Sequence, residues 1–131
     1  MNPSSQQSWQ SQYELAEQLA GQGKLDEAAE KAGVAIASAE KAFGKDHGSV
    51  GDRLRLLGEI ERMRGNPEKA ESAHRRGLDL RRKAYGSGSM EEGISLNNLA
   101  VAVGELGRPE EALELAKRAV ETLLTSLGLF Q

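Results

Sequence analysis

A six-residue pattern that returns twice at one fixed interval constrains this chain more than any other feature. Gly23-Lys24-Leu25-Asp26-Glu27-Ala28 recurs as Gly65-Asn66-Pro67-Glu68-Lys69-Ala70 and then as Gly107-Arg108-Pro109-Glu110-Glu111-Ala112, each step being 42 residues. Phe43-Gly44, Tyr85-Gly86 and Leu127-Gly128 keep the same step, as do Leu15, Leu57 and Leu99, each followed by a small residue. A period within about 20–50 residues denotes stacked units, none of which can bury its apolar faces alone.

Each copy reads as two helices. Ala, Leu, Glu, Lys and Arg supply 67 of the 131 residues, and Val, Ile and Thr only ten, which suits packed helices and not a sheet. The glycine of the marker ends the first helix, and Pro67 and Pro109 sit just inside the next start, where a missing amide donor costs nothing. Asn66 suits an N-cap. Ser49 and Ser89 each precede an acid by three residues, the pattern of a capping box. Helices are therefore expected near 9–21, 25–43, 49–64, 67–85, 89–106 and 109–127, in copies at about 9–44, 49–86 and 89–128. Residues 1–8 are polar and are expected to be loose, ahead of one domain over 9–131. The expected fold is all-α, a solenoid of three antiparallel hairpins.

Small residues at Ala16, Ala28 and Ala35, and their counterparts one and two periods on, let paired helices approach closely. Leu19, Ile36, Leu78, Val103 and Val120 are expected to fill the space around them. Three positions depart from the pattern. Gln12 stands at an apolar site, Glu61 stands where the other copies have Leu19 and Val103, and His74 stands where they have Ala32 and Ala116. Local repacking is the simple reading, with a Glu61–His74 contact as the alternative.

The chain resembles tetratricopeptide repeats, whose standard unit is about 34 residues. Its longer period resembles the kinesin-light-chain type. Ser95-Leu96-Asn97-Asn98-Leu99-Ala100, Leu106-Gly107-Arg108-Pro109-Glu110-Glu111-Ala112-Leu113 and Gly44-Lys45-Asp46-His47 carry the likeness, although Gly48 replaces a usual proline. The resemblance implies a right-handed superhelix whose concave groove binds peptide segments of other proteins. It places the groove on the first helix of each copy. Gln10, Tyr13, Glu14 and Glu17 line it in copy one, and Asp52, Arg55, Leu56, Glu59, Arg62 and Met63 in copy two. Ile94, Asn97, Asn98, Val101 and Glu105 complete it. Asn98 stands where related asparagines bond a peptide backbone, and an amide both donates and accepts. Arg55 and Arg62 are suited to a carboxylate. Glu17 and Leu56 occupy positions of the clamp by which some relatives hold a C-terminal carboxylate, so that mode is not expected. Trp9 and Tyr13 share a helical face, either as an aromatic end of the groove or as a packing cap.

No catalytic constellation is apparent. The two histidines, His47 and His74, have no metal-ligand spacing, and the chain has no cysteine. Glu91-Glu92 and Glu110-Glu111 fall in first helical turns, where the dipole explains them. Gly86-Ser87-Gly88-Ser89 follows no strand, so it is not a phosphate cradle. The expectation is a binding protein, not an enzyme, with no cofactor. Residues 45–86 carry eleven basic and seven acidic side chains, including Arg75, Arg76, Arg81, Arg82 and Lys83. A basic stripe of this kind can meet nucleic acid. With few aromatics and a net charge of −3, that partner is disfavoured against protein. No apolar run reaches the roughly 18 residues of a membrane span, and the first residues lack a signal-peptide pattern, so a cytoplasmic protein is expected. Leu123, Leu124, Leu127, Leu129 and Phe130 follow a stacking register with nothing predicted to cover them. They suggest further repeats or a self-association edge, and hence an alternative function as a structural or self-assembling segment.

Overall fold

Gly23, Gly65 and Gly107 have φ of 78°, 82° and 78°, a left-handed conformation that only glycine adopts without strain. Each closes the same hairpin turn. The amides of Lys24, Asn66 and Arg108 donate back to the carbonyls of Leu19, Glu61 and Val103 at 2.9, 2.9 and 3.3 Å, completing a Schellman-type C-cap. The computed structural model describes residues 3–129, with side chains from Gln10 onward. It contains α1 (Pro3–Gly21), α2 (Leu25–Phe43), α3 (Gly48–Met63), α4 (Pro67–Tyr85), α5 (Met90–Glu105) and α6 (Pro109–Ser126). These pair as three antiparallel hairpins, and no strand occurs among the described residues. The expected elements therefore hold.

Three local expectations need correction. The polar N-terminal segment is helical from Pro3, because proline suits a first helical turn and the glutamine-rich stretch after it contains no glycine or β-branched breaker. The N-cap of α3 is His47, not Ser49: its Nδ1 accepts from the Ser49 amide at 3.1 Å while the ring stacks on Phe43. Asn66 occupies the N-cap position of α4 but makes no capping bond, since its side-chain amide donates to Glu61. Ser89 does cap α5, accepting from the Glu92 amide at 3.1 Å.

The core is a chain of clusters instead of one centre. Ala16, Leu19, Ala28 and Ala32 pack with Leu56 and Ile60 of α3. Ile36 and Ala39 pack with Val50, Leu54, Ala73 and Leu80. Leu78 joins Leu96, Leu99, Val103, Leu115 and Ala119. Leu57 touches the first two clusters and links them. α2 and α4 are each thereby wedged between their partner and the first helix of the next copy, which is how a solenoid buries what one hairpin cannot.

The three departures resolve in different ways. Gly58 stands at the position of Ala16 and Ala100, and a Cβ there would lie 2.5 Å from the His74 ring, so the fully buried imidazole fits because its neighbour lacks a side chain. Glu61 does not reach His74, since it accepts from Arg64 at 2.8 Å and from Asn66 at 3.3 Å. The amide oxygen of Gln12 is buried without a hydrogen-bond partner among the described residues.

Candidate functional site

The curvature of the row follows from which helices approach. Backbones of α1 and α3, and of α3 and α5, come within 8 Å, whereas α2 and α4, and α4 and α6, nowhere do among the described residues. The first helices therefore crowd the inner side and the second helices splay on the outer side. Counterparts one period apart on α1, α3 and α5 are Tyr13, Arg55 and Asn97, then Glu17, Glu59 and Val101.

Several of the residues expected to line this face are already engaged within the chain. Arg62 donates to Glu59 and to Glu105, both at 3.3 Å, so it ties α3 to α5. His74 Nε2 lies 3.3 Å from the other Glu59 oxygen without a well-aligned hydrogen bond. The His74 contact, with help from Arg62 and against the effect of burial, holds the Glu59 carboxyl below its ordinary value. Asp52 accepts from Arg81 at 3.1 Å and from the Tyr85 hydroxyl at 2.8 Å, and Arg81 continues to Ser95 of α5 at 2.9 Å. Burial and the Asp52 carboxylate push Tyr85 up to about 12. Asp52 is thus a strut across three helices. Gln10 accepts from Arg53 at 3.3 Å and donates to Glu14 at 3.1 Å.

What stays available is narrower. Arg55 is half-buried and makes no hydrogen bond or ion pair among the described residues. Among the described residues Arg118 is the other arginine without a hydrogen bond, and it lies on α6. Asn97, Val101 and Glu17 are exposed. Asn98 is half-buried, with an amide nitrogen that has no partner among the described residues. Among the described residues, Arg55 is thus a cation without a partner at a position whose counterparts are Tyr13 and Asn97.

A family model of the tetratricopeptide repeat matches residues 10–83 and again 54–124, which together cover all three hairpins. The chain is a tetratricopeptide-repeat protein. Repeats of this family are non-enzymatic scaffolds that generally mediate protein–protein interaction. No curated protein matches the chain.

Within this tetratricopeptide array, the outer basic stripe is neutralised. Arg75 meets Glu71 and Glu111 at 2.8 and 2.7 Å, and Arg76 meets Glu40 at 2.8 Å. Arg82 pairs with Glu92, Arg81 with Asp52, and Lys83 with Asp79 at 3.2 Å. Apart from Lys83–Asp79, which lies within α4, these side chains brace α4 against its neighbours. Arg53 was not among the expected groove residues, yet its guanidinium lies 4.9 Å from the Tyr13 ring. Its counterparts Ser11 and Ser95 gave no sign of that. Trp9, as a side chain, lies outside the described residues.

At the far end, Leu123 does not face outward. It fills the space over Gly93, where a Cβ would lie 2.6 Å from it. Leu124 is half-buried, and Leu127 and Leu129 are exposed; Phe130 lies outside the described residues. Val120, expected to fill the core, is 57% exposed, and Leu113 is exposed beside it. No helix among the described residues is long and apolar enough to cross a membrane.

Proposed function

We propose that this tetratricopeptide array binds a peptide segment of a partner protein along α1, α3 and α5, and catalyses nothing. The observation that supports the reading is Arg55 of α3, a half-buried guanidinium that makes no ion pair among the described residues. A guanidinium held on a helix and free of partners is suited to a bidentate bond with a carboxylate. The favoured segment is therefore one with an acidic side chain, seated with its backbone against Asn97 or Asn98. The acids Glu17, Glu59 and Glu105 around that point disfavour a second acid nearby, so a single acidic residue among neutral or basic ones is the matching pattern. The 42-residue period and the Ser95-Leu96-Asn97-Asn98-Leu99-Ala100 string support assigning the array to the kinesin-light-chain type.

Selection from a displayed library of random peptides tests this. The wild-type chain is expected to enrich sequences with one conserved acidic position, and Arg55→Glu to lose that preference. Enrichment of the same sequences by both proteins, or by neither, would remove the groove as the working surface.

A further inference from the structure

The two junctions between copies are not filled alike. At the second, Leu115 of α6 is buried in one cluster with Leu78, Leu96 and Leu99. Its counterpart one period back is Ala73 of α4, which packs in the cluster of Leu54. A methyl thus stands where the next copy has a branched four-carbon side chain. The cleft at this place has a volume of about 310 Å3. Leu54, Leu57 and Ala73 form its buried and half-buried apolar floor, and Lys69, Ser72 and Arg76 its exposed rim. The backbones of α2 and α4 nowhere come within 8 Å among the described residues, so α2 does not close it. That volume is at the lower end of the roughly 300–1,000 Å3 of small-molecule sites.

The rim has also changed its charge. Copies one and three carry glutamate at both rim positions of the first helical turns, Glu27 and Glu30, then Glu111 and Glu114. Copy two alone has Lys69 and Ser72 there. Arg76 is paired with Glu40 at 2.8 Å, and Glu61, which also lines the cleft, with Arg64 at 2.8 Å. Lys69 has no ion pair and the Ser72 hydroxyl no hydrogen bond among the described residues. An apolar hollow therefore lies beside one unpaired cation and one unused hydroxyl, with two repulsive carboxylates removed.

We propose that this cleft binds a small monocarboxylate with an alkyl tail. The tail lies over Leu54, Leu57 and Ala73 and supplies the apolar volume that Leu115 supplies one copy on. The carboxylate accepts from the Lys69 ammonium and the Ser72 hydroxyl. A single unpaired cation matches a single negative charge, and an amine of the same length is refused by Lys69. None of the lining residues belongs to the peptide groove, so this site goes beyond the peptide-binding reading and does not rest on it.

The probe is octanoate, titrated calorimetrically into the full chain beside octylamine. Saturable binding of one octanoate per chain is expected, with octylamine bound far more weakly. Lys69→Glu should weaken octanoate about tenfold or more, since it removes a charged partner and adds a like charge. Ala73→Leu should abolish binding by filling the hollow, and Arg55→Glu should leave it unchanged. Both cleft substitutions install residues that α6 carries, and an acid suits the first turn of α4. Circular dichroism checks that the helices persist; should Ala73→Leu fail to fold, Lys69→Glu on the exposed rim decides. Absence of saturable octanoate binding, equal binding of octylamine, or octanoate binding that Lys69→Glu leaves unchanged would overturn the proposal.

Discussion

Gly58 and His74 form a single packing solution shared by two residues. Copies one and three use alanine at both positions, Ala16 with Ala32 and Ala100 with Ala116. Copy two uses nothing and an imidazole. Gly58→Ala would drive a methyl to 2.5 Å from a fully buried ring, and overpacking of that kind costs about 1–3 kcal/mol. Adding His74→Ala recreates the pair of the other copies and is expected to recover most of the loss. Urea denaturation of the three proteins measures it, and a stable Gly58→Ala single variant would contradict the packing. The sequence marked His74 and Glu61 as departures from the repeat, but not their partners. Gly58 looked like one more small residue, and the destination of each charge depended on rotamers that a period does not specify. Arg62 shows the same limit: its bond to Glu105 joins residues 43 apart, one step off the repeat, so aligning the copies could not reveal it.

At the scale of the helix, the turns and starts divide by whether one residue decides them. The marker glycines do decide, because a φ near 80° excludes other residues, and so the hairpin boundaries were legible to within a residue or two from α2 onward. Caps depend on competition for one side chain. Ser89 is uncontested and caps α5, while the Asn66 amide is drawn to Glu61. Ser89→Ala is therefore expected to cost about 1 kcal/mol, and Asn66→Ala to lose only its bond to Glu61 and no cap. Thermal unfolding of both variants distinguishes them, and equal losses would contradict the assigned caps. Glu92 adds a second tie at the same end, accepting from the Gly88 amide at 2.8 Å and from Arg82. Burial alone would raise its carboxyl, but those two bonds outweigh burial and hold it below 4.5. Glu71, bound by Arg108 and Arg75, and Glu59, beside His74, are held down as well.

Across the whole molecule those depressed carboxyls act together: Glu71 and Glu92 link one copy to the next through Arg108 and Arg82, and Glu59 is held within copy two by His74 and Arg62. A carboxyl with a folded value below its unfolded one stabilises the fold fully above the unfolded value, and that contribution is lost as pH falls through the folded one. Stability is therefore expected to stay level from neutral pH to about 5 and to decline below about 4.5, the ordinary value of these groups. Glu71→Gln should make the decline shallower. Denaturation midpoints between pH 7 and pH 3 check both, and a decline that begins well above pH 5 would contradict the role of the ion pairs. The hairpin row was legible in the sequence because a strict period fixes which faces must meet. The proposed binding surface was legible only as a set of positions. Asp52, Arg62 and Glu105 belong to that set and are occupied within the chain, whereas Arg55 has no partner among the described residues. A charge exchange measured by calorimetry tests the reading most directly. A peptide selected for its acidic residue is compared with the same peptide bearing lysine there, on wild type and on Arg55→Glu. Wild type should favour the acidic peptide by roughly tenfold, about 1.4 kcal/mol, and Arg55→Glu should reverse the order. If both proteins rank the two peptides alike, Arg55 does not read the ligand and recognition in the groove is contradicted.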